Sequence, residues 1–235
     1  MPVDQSAYQQ NVEQIRQIAE KMGVEVLGQE GWILYSSYTT MVRGDYYFLG
    51  INPAGSEEVP PKTVQDSLDG LTEFTEEADK NQFLDIPWNG DQFLPLQKRF
   101  KFFFKKEHCG VDPDSVCASN LNFLSRKKEK DSGGWKMKEM ANKCWAIHNA
   151  IIREIVKPRV IITHGSLSFD FISYKLRGKP IQEQPCNWGN WTWRCSRLEE
   201  TGQKLIGLPH LSRYAIDSQS RADIVKEIVK QIQSD

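Results

Sequence analysis

The chain has 235 residues, 39% of them hydrophobic and 26% charged, with 30 Lys+Arg against 31 Asp+Glu and a formal net charge of -1. That is ordinary globular composition, long enough to bury a core without staples, and the bulk charge alone argues against a nucleic-acid protein. No apolar run reaches the ~18–20 residues that span a bilayer, and the N-terminus lacks the basic and apolar regions of a signal peptide. Five cysteines, at 109, 117, 144, 186 and 195, include no C-x-x-C pair. Zinc sites and disulfide frameworks are therefore not expected, and the thiols read as reduced core residues. The location implied is the cytoplasm, or the nucleus in a eukaryote.

The elements follow in chain order. Tyr8, Val12, Ile15, Ala19 and Met22 recur at helical spacing, which predicts an amphipathic helix over 4–22 that Gly23 stops. Residues 32–35 read as a short strand and 45–50 as a buried strand closed by a Gly/Asn/Pro turn. Residues 53–92 read as an elaborated acidic loop, with helix around 61–79. Between 53 and 85 there are nine Asp/Glu against two Lys. Residues 94–106 predict a helix with a basic face, and 115–120 a small-residue strand ending in Asn.

Met137, Cys144, Ile147, Ile151 and Ile155 mark a long helix ended by Lys157-Pro158. Residues 159–163 form a second all-apolar strand, 167–176 a helix, and 181–187 with 191–196 a hairpin. Residues 205–208 are a last short strand. Ala222, Val225, Ile228 and Ile232 mark a terminal helix capped by Asp217 or Ser218. Apolar strands alternating with amphipathic helices imply an α/β fold. It is a three-layer α/β/α sandwich on a mostly parallel sheet, formed by one domain over 1–235.

In such sheets ligands sit beyond the carboxyl ends of the strands. Four segments stand there: Gly50-Ile51-Asn52-Pro53-Ala54-Gly55-Ser56, Ser119-Asn120-Leu121-Asn122, His164-Gly165-Ser166, and Pro209-His210-Leu211-Ser212-Arg213-Tyr214. There is no P-loop, no G-x-G-x-x-G, no G-x-S-x-G and no H-E-x-x-H. An Asn and a His facing one pocket can place a water and stabilise a developing anion. A second Asn can read a base edge, because an amide both donates and accepts. That set suits hydrolysis of an N-glycosidic bond.

These segments resemble the motifs of the uracil-DNA glycosylase superfamily. Gly50-Ile51-Asn52-Pro53 with Gly55-Ser56 is similar to its first motif, in the G-[IM]-N-P-G version rather than G-Q-D-P-Y. Val116 to Asn120 resembles the strand whose terminal Asn reads the flipped base, and His210-Leu211-Ser212-Arg213 the H-P-S loop. The likeness spans roughly 30–232. It implies a monofunctional DNA glycosylase that leaves an abasic site and needs no metal or organic cofactor. Its partner would be DNA, with no membrane and no obligate protein partner.

In that reading Asn52 and His210 are catalytic, and Gly50, Ile51, Pro53, Asn120 and Ser212 bind substrate. Leu211 stands where the family has Pro, and Asn52 where its fastest members have Asp. The cysteines of the iron–sulfur branches are absent, since none precedes 109.

Flipped bases usually stack on an aromatic ring. Phe83, Trp88, Phe93 and Phe102-Phe103-Phe104 are candidates, with Trp88 and Phe93 favoured by their loop-like surroundings. Arg213 and Tyr214 are expected to wedge into the duplex. Two basic clusters are candidates for phosphate contact: Lys98, Arg99, Lys101, Lys105 and Lys106, and Arg126, Lys127, Lys128 and Lys130. Asn122 competes with Asn120 as the base reader. His164 lies at a strand end, but Gly165-Ser166 reads as a helix start. His148 and His108 are expected to be structural.

Uracil is the substrate the resemblance implies first. The long segment 54–92 and the altered His loop leave open a bulkier modified pyrimidine, such as a hydroxymethylated or glucosylated cytosine of phage DNA, excised in defence. A different class also remains open: a DNA or nucleotide binder without catalysis on the same fold.

Overall fold

The computed structural model describes residues 5–52, 61–125 and 134–234. A six-stranded sheet runs β2-β1-β3-β6-β5-β4. Its strands are β1 (Tyr46–Gly50), β2 (Cys117–Asn120), β3 (Val160–His164), β4 (Gly178–Pro185), β5 (Thr192–Leu198) and β6 (Lys204–Leu208). β1 pairs in parallel with β2 and β3, and β3 with β6. β5 and β4 extend the sheet antiparallel. The four parallel strands are buried at every position, which is why they read as continuous apolar runs rather than as alternation.

Successive side chains sort to opposite faces. Tyr47, Leu49, Cys117, Ile161 and Leu205 enter one core. There they meet helices α1 (Gln5–Glu20), α3 (Val64–Glu73), α5 (Gly134–Ala150) and α6 (Ser166–Lys175). Phe48, Ala118, Val160, Ile162 and Ile206 enter the other, against α4 (Pro95–Phe104) and α7 (Ala222–Gln233). The remaining short helix, α2 (Val24–Leu27), joins the first layer. The expected three-layer α/β arrangement is therefore present.

Local signals explain the boundaries. α3 starts with a capping box between Thr63 and Asp66, which satisfies two N-terminal backbone donors. α5 runs on through a π-helical turn, Ile151–Ile155, and ends where Lys157 turns left-handed at φ 49° before Pro158. Within 53–92, residues 53–60 lie outside the described residues, and the helix is shorter than 61–79 suggested.

Two expectations are corrected. Residues 32–35 form no strand. They flank the free edge of β2 with single hydrogen bonds, Tyr35 N–H to Ala118 O at 2.8 Å and Ala118 N–H to Ser36 Oγ at 2.9 Å. Serine side chains thus occupy ladder positions and blunt the edge. Nor do Asp217 and Ser218 cap α7. The Asp217 carboxylate is taken by Arg99 at 3.2 Å, and Ser218 opens a separate short turn, Gln219–Arg221, without a side-chain cap bond.

His148 is structural, as expected. It is fully buried in α5, with Tyr47 Oη 2.7 Å from Nδ1 and Leu121 O 3.1 Å from Nε2. All five cysteines are free and buried.

Burial pushes His148 down to about 4. Between that value and the ordinary 6.5, the unfolded chain binds a proton at this site that the folded chain does not. Its contribution is therefore complete above pH 6.5 and is lost as the pH falls toward 4. Urea midpoints should drop steadily through that window, and less steeply in His148→Gln at matched buffer. An equal pH slope in both proteins would remove His148 as the cause.

Candidate active site

Because β2, β1, β3 and β6 are parallel, their carboxyl ends open on one edge of the sheet. A cavity of about 570 Å³ lies there, and its lining includes Ile51 and Asn52 after β1, Asn120 ending β2, His164 ending β3, and His210 and Ser212 after β6. Three segments widely separated in sequence thus bring the two catalytic candidates and the base-reading candidate to one space.

The convergence depends on glycine. A Cβ on Gly50 would stand 2.0 Å from Asn120 Oδ1 and 2.9 Å from His164 Nε2. Both side chains therefore close on the bare backbone of β1. Gly50 is not itself part of the cavity wall; it makes room behind it. Gly165 does the same one strand over. It holds φ 97°, and a Cβ there would meet Ile51 Cδ1 at 2.6 Å, so both conformation and space require glycine.

Asn120 is 8% exposed and faces the hydroxyl of Tyr35. Burial raises the Tyr35 pKa, outweighing the Asn120 contact that lowers it. The phenol stays neutral and fixes one end of the amide. Asn122, the competing base reader, lies elsewhere. It is fully buried outside the cavity wall, and neither amide atom has a hydrogen-bond partner among the described residues.

His210 sits on a turn closed by Arg213 N–H and Tyr214 N–H to its own carbonyl, at 2.9 and 3.0 Å. The Ser212 backbone N–H points at His210 Nδ1 from 3.3 Å, and Ser212 Oγ lies 2.7 Å from the same atom. A backbone N–H can only donate, so Nδ1 accepts and the ring proton belongs on Nε2. Leu211, where the resembled family has Pro, is fully buried, and its carbonyl accepts from Arg99 Nη1 at 2.6 Å. The loop is pinned by an apolar plug and a cation in place of a rigid ring.

His164 also belongs to the site. It does precede a helix start, yet its ring lines the cavity at 2% exposure. It stacks on Phe48 at 4.9 Å and meets His210 edge-on at 4.7 Å. Burial, and then the nearby His210, hold its pKa well below the usual value, so it is a neutral imidazole. A strand-terminal His in a parallel sheet was the available signal.

Trp88 lines the cavity as expected, together with Phe83; Phe93 does not. The buried Gln97 amide explains the difference. It donates to the carbonyls of Gln82 and Ile86, both at 2.7 Å, and accepts from Leu94 N–H at 2.9 Å. The segment is thereby tied so that Phe83 and Trp88 face the cavity while Phe93 does not reach it. Phe103 and Phe104 are core, and Phe102 packs on His108 at 4.4 Å.

Arg213 is exposed on the rim. Tyr214 is not a wedge. It is fully buried and its hydroxyl donates to Cys186 O at 3.2 Å, because the turn after His210 points residue 214 inward to anchor the loop. Pro53, Arg126, Lys127, Lys128 and Lys130 lie outside the described residues. Tyr35, Met137, Trp188 and Trp191 also line the cavity, and none of them is a site candidate from the sequence.

Among the described residues no group of three His, Cys, Asp or Glu side chains can hold a metal ion, and no helix is long and apolar enough to cross a membrane. The chain matches no protein-family model and no curated protein sequence.

Gly50→Ala tests the glycine-dependent convergence. The added methyl must displace Asn120 or the strand, which should cost about 1–3 kcal/mol of stability in urea titration. Unchanged stability would show that the contact relaxes freely.

Proposed function

We propose that the protein is a monofunctional DNA glycosylase of the uracil-DNA glycosylase type, which hydrolyses the N-glycosidic bond of an extruded pyrimidine. The observation that carries this reading is the meeting of Asn52, Asn120 and His210, from three separate strand ends, in one cavity walled by Phe83 and Trp88.

The roles follow from the chemistry of each group. Asn120, held by Tyr35, presents its amide to the edge of the base. Asn52 cannot accept a proton, so it orients water toward C1′. The bond from C1′ to the base nitrogen breaks with its electron pair on the base, and the water oxygen bonds C1′. His210, proton on Nε2, donates to the base oxygen where negative charge gathers, in a site whose donors need no reorganisation. The water's proton ends on the released base. Among the described residues no lysine lines the cavity to act as a nucleophile, so in this reading the strand stays intact at the abasic site.

The size of the site favours one extension of this reading. A 570 Å³ cavity falls in the range of sites for drug-sized ligands and is larger than a bare pyrimidine fills. A modified pyrimidine with a bulky substituent therefore belongs in any substrate panel.

Base release from single- and double-stranded DNAs carrying uracil, mismatches or modified pyrimidines, read by mass spectrometry, tests the proposal. Asn52→Ala and His210→Ala should each lower release about a hundredfold to a thousandfold while DNA affinity holds. Release from no substrate, with DNA binding intact, would leave a binder without catalysis.

A further inference from the structure

Beside this cavity lies a smaller annexe of about 220 Å³ lined by Glu183, Asn190, Thr192 and Arg194, and Gly165, Ser166 and Trp191 border both spaces. Trp191 is 39% exposed. It stacks on Trp188 with centroids 5.6 Å apart and planes 25° from parallel, and Trp188 leans on the buried Tyr214 at 5.7 Å.

The turn that presents them, between β4 and β5, is closed by Cys186 N–H to Trp191 O at 2.9 Å and Trp191 N–H to Trp188 O at 3.2 Å. A hairpin turn needs no tryptophan. Two stacked indoles, braced from behind and partly open to solvent at the mouth of a cavity, require another explanation.

We infer that the Trp188–Trp191 pair is a stacking platform for the nucleobase beside the extruded one, in a single strand. The inference rests on the proposed glycosylase reading. A nucleotide inserted toward Asn120 brings its chain neighbours to the rim, where Trp191 stands. In duplex DNA that neighbour is already paired and stacked, whereas in a single strand its face is available.

Ring stacking suits the partner because every base has a π-face. The annexe chemistry points the same way. The Glu183 carboxylate repels phosphate but accepts from a base amino group, and the Asn190 amide offers both donor and acceptor. Arg194 is committed to the scaffold, paired with Asp170 at 2.7 Å and lying over the Phe169 ring at 4.0 Å. Among the described residues, the exposed cation on this rim that can meet the strand's phosphates is Arg213.

The test is a cycle between protein and DNA. Binding is read by fluorescence anisotropy on a labelled single strand holding one uracil, and on the same strand with tetrahydrofuran abasic residues on both sides of it. Removing the neighbouring bases should weaken wild-type binding about fivefold to a hundredfold, the range of one base–aromatic stack. Trp191→Ala should show that loss already on the intact strand and gain no further loss on the abasic one, while Trp191→Phe stays near wild type.

Equal sensitivity to the neighbouring bases in wild type and Trp191→Ala, or no sensitivity in wild type, overturns the platform. Because the readout is binding, the two readings fail separately. A Trp191-dependent effect without base release keeps the platform and refutes the glycosylase. Base release without that effect does the reverse.

Discussion

The site hangs on a close approach that only a backbone without a side chain allows. At the end of β1, Gly50 leaves Asn120 and His164 free to close in from the two neighbouring strands. The parallel register makes this possible. It sets Gly50 opposite Asn120, with Leu49 opposite Thr163, so the polar ends of three strands come level. Where the ladder ends, its last donors and acceptors are reused. Leu121 N–H bonds Gly50 O at 3.0 Å, and Ser168 Oγ from α6 donates to the same carbonyl at 2.7 Å. The strand ends are thereby fixed by bonds from two layers before any ligand arrives, which is the preorganisation that a charge-stabilising site needs.

The second constraint is the loop that carries His210. It leaves β6 through the buried Pro209 and must hold an imidazole at the cavity. Leu211 and Tyr214 enter the core, and Ser212 and Arg213 remain outside. That in-out-out-in pattern, tied by Arg99 to Leu211 O and Asp217, does the work that a proline would do through its ring. The neutral His164 against His210 adds an aromatic wall without adding charge.

Much of the fold was legible because burial on both faces writes itself as apolar runs, and α5 writes itself as a 3.6-residue period. The strand-end rule then located Asn52, Asn120 and His210. What sequence could not supply were decisions made by tertiary contacts. Residues 32–35 carry a strand-like composition but meet serines at the sheet edge. Phe93 and Phe83 look alike in sequence, and the buried Gln97 amide decides which of them reaches the cavity. Tyr214 next to an exposed arginine reads as a surface residue until the turn geometry sends it inward. Tyr35 gains meaning only from Asn120, far along the chain, and Trp191 only from the cavity that it borders.

Charge shows the same limit. A net charge of -1 suggested no affinity for a polyanion, and the basic run at 98–106 suggested the opposite. Neither survives at face value, because a charge contributes to binding only where it is left uncommitted. Arg99, inside that run, is half-buried and bound to Asp217 and to the Leu211 carbonyl, so it supports the His210 loop rather than reaching outward. Arg194 on the annexe wall is likewise committed to Asp170. Lys98, Lys101, Lys105 and Lys106 remain exposed on and after α4. In the proposed reading, specificity then comes from hydrogen bonds and ring faces inside the cavity. The phosphate backbone contributes a smaller, salt-dependent share.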